Sequence, residues 1–345
     1  MSWMLKEIHE QPAALDRLLA RETGNINKIA GRIRAHDPAL FVLAARGSSD
    51  NAALFAKYLF ESHLGIPAEL AAPSVVSVYK KKPNLARGVV IGISQSGESP
   101  DILETLQAAK DTGAYTVAVT NTAGSPISAV AHDTINLCAG KEKGLAATKT
   151  YTTQLLAMML LSASLADDSA MTARINKLPA AVNVMLSTEA PIAELSQRYR
   201  YMDHCVIIGR GYNYSTVKEA ALKLMETCYV VAQPFSTADF LHGPIAIAGA
   251  GFPTFVCVPK GKMAKPLTTL CRELRGKALE TIIVSPLPET LKLATRSIRI
   301  PVDVDEMLSP LVNIIPFQFF ACHLSAARGL DPDKPRFLRK VTRTL

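Results

Sequence analysis

Phe41-Val42-Leu43-Ala44-Ala45-Arg46-Gly47-Ser48-Ser49-Asp50 is an apolar run that breaks into a glycine-serine turn and then into a helical pattern. Cys205-Val206-Ile207-Ile208-Gly209-Arg210-Gly211-Tyr212-Asn213 has the same grammar, and Arg46 and Arg210 stand 164 positions apart. That offset also carries 89–93 and the following Ser94 onto the run ending at Val258. It carries 117–119 onto 281–283, Gln154 onto Gln318 and Ala157 onto Ala321. Several elements in one register point to an internal duplication.

Each half reads strand–turn–helix, repeated. The strands are short and continuously apolar, as expected where both faces of a parallel sheet are covered. Helical patterns at 51–62 and 101–112 lie between them. The fold class is α/β: two tandem αβα sandwiches with parallel sheets. The expected organisation is an N-terminal helical segment at 1–28, a first sandwich at 29–166, a helical connector at 167–197, a second sandwich at 198–329 and a tail at 330–345.

Composition narrows the class. A chain of 345 residues, 48% of them hydrophobic, can build two packed domains, and only 20% are charged, which argues against disorder. Cys138, Cys205, Cys228, Cys257, Cys271 and Cys322 form no C-x-x-C pair and mostly sit in apolar runs. They read as buried free thiols of a reducing compartment. Residues 1–11 mix charged and apolar side chains, unlike a signal peptide, and the stretch 155–165 is too short to span a bilayer. The expectation is a soluble cytoplasmic chain without a membrane partner. The net charge of +8 fits general solubility or an anionic small-molecule substrate. Nucleic acid is set aside. The basic residues are scattered except for Lys334, Arg336, Arg339, Lys340 and Arg343, and the N-terminal helices lack the short glycine-bearing turn of a helix-turn-helix.

In open α/β sheets ligands bind beyond the carboxyl ends of the strands. Ser94-Gln95-Ser96-Gly97-Glu98-Ser99-Pro100 occupies such a place. Ser99 suits an N-cap and Pro100 a first helical position. The turn therefore offers backbone N–H groups, a favourable helix dipole and the hydroxyls of Ser94, Ser96 and Ser99 to an anion, and Gly97 permits close approach. An ordinary capped turn would not need three hydroxyls and Gln95 within six positions. Gly47, Ser48 and Ser49 follow the first strand in the same way and share the crevice. Gly209-Arg210-Gly211 does not complete G-x-G-x-x-G, because Tyr214 stands at the third glycine, so a nicotinamide cofactor is excluded.

The helix after Gly211 places Glu219, Lys223 and Glu226 on one face, among apolar neighbours that leave little room for an ordinary solvated face. His242 precedes a Gly-Pro turn, and Lys340 lies in the basic tail. Alone, each reads as structural or solvated.

These segments together resemble the sugar isomerase (SIS) superfamily over almost the full length. The resemblance rests on Gly47-Ser48-Ser49, Ser94 through Ser99, Ala147-Thr148-Lys149 with Thr152-Thr153-Gln154, and Gly209-Arg210-Gly211. It extends to Glu219 through Glu226, His242-Gly243-Pro244, and Asp333-Lys334-Pro335-Arg336 with Leu338 and Lys340. Most similar are the isomerase half of glucosamine-6-phosphate synthase and the SIS-type glucosamine-6-phosphate deaminases. The resemblance implies that the loops at Ser49 and at Ser94 to Ser99 hold a sugar phosphate. It implies that Glu226 moves a proton between C1 and C2, that Lys223 lies near the substrate, that His242 assists ring opening and that Lys340 can form an imine. It further implies a homodimer with the histidine loop supplied by the neighbouring subunit. Such chemistry requires no metal or redox cofactor.

Three departures direct the reading. The synthase's glutamine-hydrolysing domain carries a catalytic cysteine after the initiating methionine, whereas residue 2 here is Ser2 and only about thirty residues precede the first strand; Arg46 replaces a usual cysteine, and Ala147 replaces a serine. The expectation is therefore an enzyme without a glutaminase domain that converts glucosamine 6-phosphate and water to fructose 6-phosphate and ammonia. The alternatives are aldose–ketose isomerisation, deamination or deglycation of another amino-sugar or fructosamine phosphate, and a non-catalytic sugar-phosphate-binding regulator.

Overall fold

The computed structural model describes residues 1–338 and 340. Of the expected tail, Arg339 and residues 341–345 lie outside the described residues. Among the described residues ten strands form two parallel five-stranded sheets: β1 Leu40–Ala44, β2 Ala68–Leu70, β3 Gly88–Ile93, β4 Tyr115–Thr120 and β5 Asp133–Asn136, then β6 His204–Gly209, β7 Val231–Ser236, β8 Pro253–Cys257, β9 Glu280–Ser285 and β10 Arg296–Arg299. The strand order is β2-β1-β3-β4-β5 in one sheet and β7-β6-β8-β9-β10 in the other. The topology is the same in both, and the α/β duplication read from the sequence is present.

The chain divides into two compact units. The first comprises residues 10–142 and 149–179, with Leu338 and Lys340. It holds the first sheet. All six residues of β3 are buried, as a central strand covered on both faces must be. The helix Lys149–Leu165 is almost wholly buried, its polar first turns included, packing against the helices Gln11–His36 and Ser48–Leu59.

The second unit comprises residues 1–9, 143–148 and 180–337. Its counterpart to Lys149–Leu165 is the helix Ser309–Ala327, packed against Asn213–Cys228 and Glu189–Arg198. Among the described residues this is the one helix long and apolar enough to cross a membrane, and 83% of that stretch is buried. An aromatic cluster joins helix to sheet: Phe255 meets Phe320 edge-on at 5.1 Å, and Tyr199 meets Phe320 at 5.7 Å. Cys205, Cys228, Cys257, Cys271 and Cys322 are buried free thiols. Burial pushes Cys228, Cys257 and Cys271 up to about 12, so these sulfurs stay protonated and behave as small apolar groups.

Gly209, the last residue of β6, lets the following helix come close. A Cβ there would lie 2.7 Å from the carbonyl oxygen of Asn213 and 2.8 Å from Val217 Cγ1. The first obstacle is backbone and cannot rotate away. Gly209→Ala is expected to lower the urea midpoint by an amount equivalent to roughly 1–3 kcal/mol, the usual cost of overpacking. An unchanged midpoint would show that the helix can retreat freely.

Candidate functional site

In the first unit β1 and β3 are neighbours, paired from Leu40 with Gly88 to Ala44 with Gly92. Both turns beyond their carboxyl ends therefore open into one crevice. Gly47, exposed and at φ 57°, leads into the helix Ser48–Leu59; Ser48 is half-buried and Ser49 buried. Ser49 Oγ accepts a hydrogen bond of 2.9 Å from Gln154 Nε2. Gln154, a repeat marker and part of a matching segment in the sequence but given no role there, is thus a buried partner of this turn.

The second turn is tied internally. Ser94 Oγ accepts from the Gly97 N–H at 3.1 Å and lies 3.4 Å from Ser99 Oγ. Ser96 Oγ accepts from the Glu98 N–H at 3.3 Å. The Gln95 carbonyl accepts from the Asn121 N–H at 3.1 Å. Ser99 holds the N-cap position of the helix Pro100–Asp111 but makes no side-chain cap bond. The helix start is therefore not closed by that hydroxyl. Gly97 sits at φ 69°, and a Cβ there would come within 2.2 Å of Ser125 Oγ, so only glycine fits. Beside this turn Arg46 Nε donates to the buried carboxylate of Asp101 at 2.7 Å. Nothing in the local sequence marks this pair, which spans 55 positions.

The equivalent turn of the second sheet is closed by the protein itself. Glu306 accepts from the Met263 N–H at 3.3 Å and from the Lys262 N–H. A side-chain carboxylate takes the N–H of Lys262, whose counterpart in the first-sheet turn, the N–H of Glu98, is bonded to the Ser96 hydroxyl.

In the second unit the helix Asn213–Cys228 brings three predicted residues together. Lys223 Nζ lies 2.6 Å from Glu226 Oε2 and 3.3 Å from Glu219 Oε1. Lys223 and Glu219 are fully buried, whereas the Glu226 side chain keeps 22% of its exposure. Burial opposes a charge on Lys223, but the two carboxylates outweigh it and hold the ammonium above the ordinary lysine range. Lys223 is thus a fixed cation, and Glu226 is the one carboxylate of the trio open to a ligand.

His242 does not join this trio: it is exposed at the end of the helix Thr237–Leu241, with no hydrogen bond to Glu226. Lys340, in the first unit, has its Nζ 3.7 Å from a carboxylate oxygen of buried Glu142. Glu142 also accepts from the N–H of Thr150 at 3.2 Å and from its hydroxyl. A cavity of 590 Å³ between the helix Glu189–Arg198 and β10 contains none of the predicted residues. Here chemistry, not cavity size, marks the site.

A SIS domain profile matches residues 38–164 and 199–328, the stretches that hold the two sheets. The chain belongs to the SIS domain family. A relative in Gloeobacter violaceus, glutamine–fructose-6-phosphate aminotransferase (isomerizing), is 37% identical over 354 residues. That match takes in 98% of this chain and 58% of the relative, so this SIS protein spans less than two thirds of the curated relative's length. A candidate phosphosugar isomerase from Silicibacter pomeroyi has a TM-score of 0.88 at 33% identity, covering 96% of this chain and all of its own. Glucosamine-6-phosphate deaminase from Thermotoga maritima has a TM-score of 0.81 at 23% identity, covering 99% of this chain and 100% of its own, and shares the fold.

Lys223→Met leaves Glu219 buried beside a second carboxylate without its cation. The variant is expected to lose about 3–5 kcal/mol of stability, and Glu219→Gln/Lys223→Met should recover much of it. Denaturant melts of the two variants check this. Equal melts for wild type and Lys223→Met would show that the charge is not fixed there.

Proposed function

We propose that this SIS protein is an amino-sugar phosphate deaminase that converts glucosamine 6-phosphate and water to fructose 6-phosphate and ammonia. The observation that carries the reading is Glu226: a partly exposed carboxylate held 2.6 Å from a buried, protonated lysine. That is the equipment needed to take a proton from carbon and to stabilise the charge that results.

In the proposed reaction Gly47, Ser48, Ser49, Ser94, Gln95, Ser96 and Ser99 hold the phosphate, whose binding energy positions the reacting carbons. His242 assists ring opening, giving an aldehyde at C1 and the amine at C2. Glu226 takes the C2 proton, and the electron pair moves toward the C1 oxygen, forming an enolamine. Lys223, as a fixed cation, and Lys340 stabilise that oxygen. Glu226 then returns the proton to C1, leaving an imine at C2. Water adds to C2 and ammonia departs, leaving the ketone of fructose 6-phosphate. The protonation of Lys223 makes it an electrostatic group and not the imine-forming one. We further place the enzyme in the cytoplasm as a homodimer whose neighbouring subunit supplies the His242 loop. The exposure of His242 supports that arrangement.

Purified protein with glucosamine 6-phosphate should release ammonia and fructose 6-phosphate in equal amounts. Fructose 6-phosphate formed from an aldose phosphate without ammonia would point to simple isomerisation. Glu226→Gln should reduce kcat by roughly 10²–10⁴-fold, the usual share of a general base, while still binding substrate. Retained turnover would remove Glu226 from that role.

A further inference from the structure

The duplication exposes a charge mismatch. In the first half Arg46 bonds to the buried carboxylate of Asp101 at 2.7 Å. The positions 164 further on are Arg210 and Lys265. Thr105 and Leu106 likewise correspond to Thr269 and Leu270, so the helix Pro100–Asp111 and the helix Ala264–Gly276 are in register. The second half has kept the arginine and exchanged its acid for a second cation.

Between these cations lies a cavity of 340 Å³, lined by Arg210, Lys265, Thr237, Thr269, Leu241 and Glu273, with Pro266 and Leu270 beneath. Among the described residues neither Arg210 nor Lys265 has a hydrogen-bond or ion-pair partner for its side chain. Thr237 is 96% buried and its Oγ1 has no hydrogen-bond partner. Buried hydroxyls without a partner are rare and costly, and a hydroxyl can rotate to donate to an anion. Glu273 is the one carboxylate on the wall, so two cations face one acid.

We infer that this cavity is a second anion site, distinct from the Ser94 to Ser99 turn, and that it takes the phosphate of a small phosphorylated ligand. The ligand's phosphate stands where the first half places the Asp101 carboxylate. Arg210 provides a planar fork of N–H donors, Lys265 a compact charge and Thr237 a hydroxyl, while Leu241, Pro266 and Leu270 offer an apolar floor to the rest of the ligand.

The test is equilibrium dialysis of the full chain against inorganic phosphate. Wild type should bind two phosphates per chain. Lys265→Asp gives Arg210 the acid that Arg46 has, and should bind one while melting no lower than wild type in phosphate-free buffer. Arg210→Ala should weaken the same class roughly tenfold or more. Ser96→Ala/Ser99→Ala should lose the other class and keep this one. A single class in wild type that disappears only in the serine variant would overturn the inference, as would two classes unchanged in Lys265→Asp. A single class in wild type that is lost in Lys265→Asp and untouched by the serine substitutions would uphold this site and count against the Ser94 to Ser99 turn as the substrate cradle.

Discussion

Lys223 carries a full charge with no exposure to water. An isolated ammonium in that position would lose its proton, and the carboxylates of Glu219 and Glu226 oppose that loss. The constraint explains why an i, i+4 and i, i+3 arrangement of charges can sit on a buried helix face. It also orders the roles of the three groups. Glu219, wholly buried, is committed to the lysine. Glu226 keeps part of its surface and can meet a substrate. The proposed proton transfer thus depends on a pairing that is first a condition of folding.

The two halves show how one architecture diverges at its turns. Both sheets have the same strand order, and the buried central strands differ little in character. The turns at the carboxyl ends carry the differences. Where the first half has the hydroxyls of Ser94 to Ser99, the second has Glu306 occupying the N–H groups of Lys262 and Met263. Where the first half closes Arg46 against Asp101, the second leaves Arg210 and Lys265 facing a cavity. A duplicated scaffold fixes where backbone N–H groups emerge, and side chains then decide whether an emergence point binds a ligand, a side chain or nothing.

The central strands were legible in the sequence because continuous apolar runs are what a doubly covered strand requires, and β1, β3, β4, β6, β8 and β9 fall on them. The edge strands were not. β2 has three residues, β7 contains Pro234 and exposed positions, and β10 begins and ends on arginine, because an edge strand has one neighbour and weaker burial to enforce a pattern. The helix expected at 51–62 is displaced to Ser48–Leu59 and continues as a π-helical turn at Phe60–Leu64. For the site, the Glu219–Lys223–Glu226 face was legible from local spacing alone. The partners of Ser49 and Arg46 were not, since Gln154 and Asp101 lie 105 and 55 positions away and no local rule links them.

The central claim is that Glu226 exchanges a proton with carbon. Its most direct test is ¹H NMR of fructose 6-phosphate incubated with the protein in D₂O without ammonia, which isolates the carbon step from release of the amine. Wild type should exchange one of the two C1 hydrogens for deuterium, because a base fixed on one side of the substrate reaches one of them, and Glu226→Gln should exchange neither while still binding the sugar. Exchange by Glu226→Gln at the wild-type rate would contradict the account.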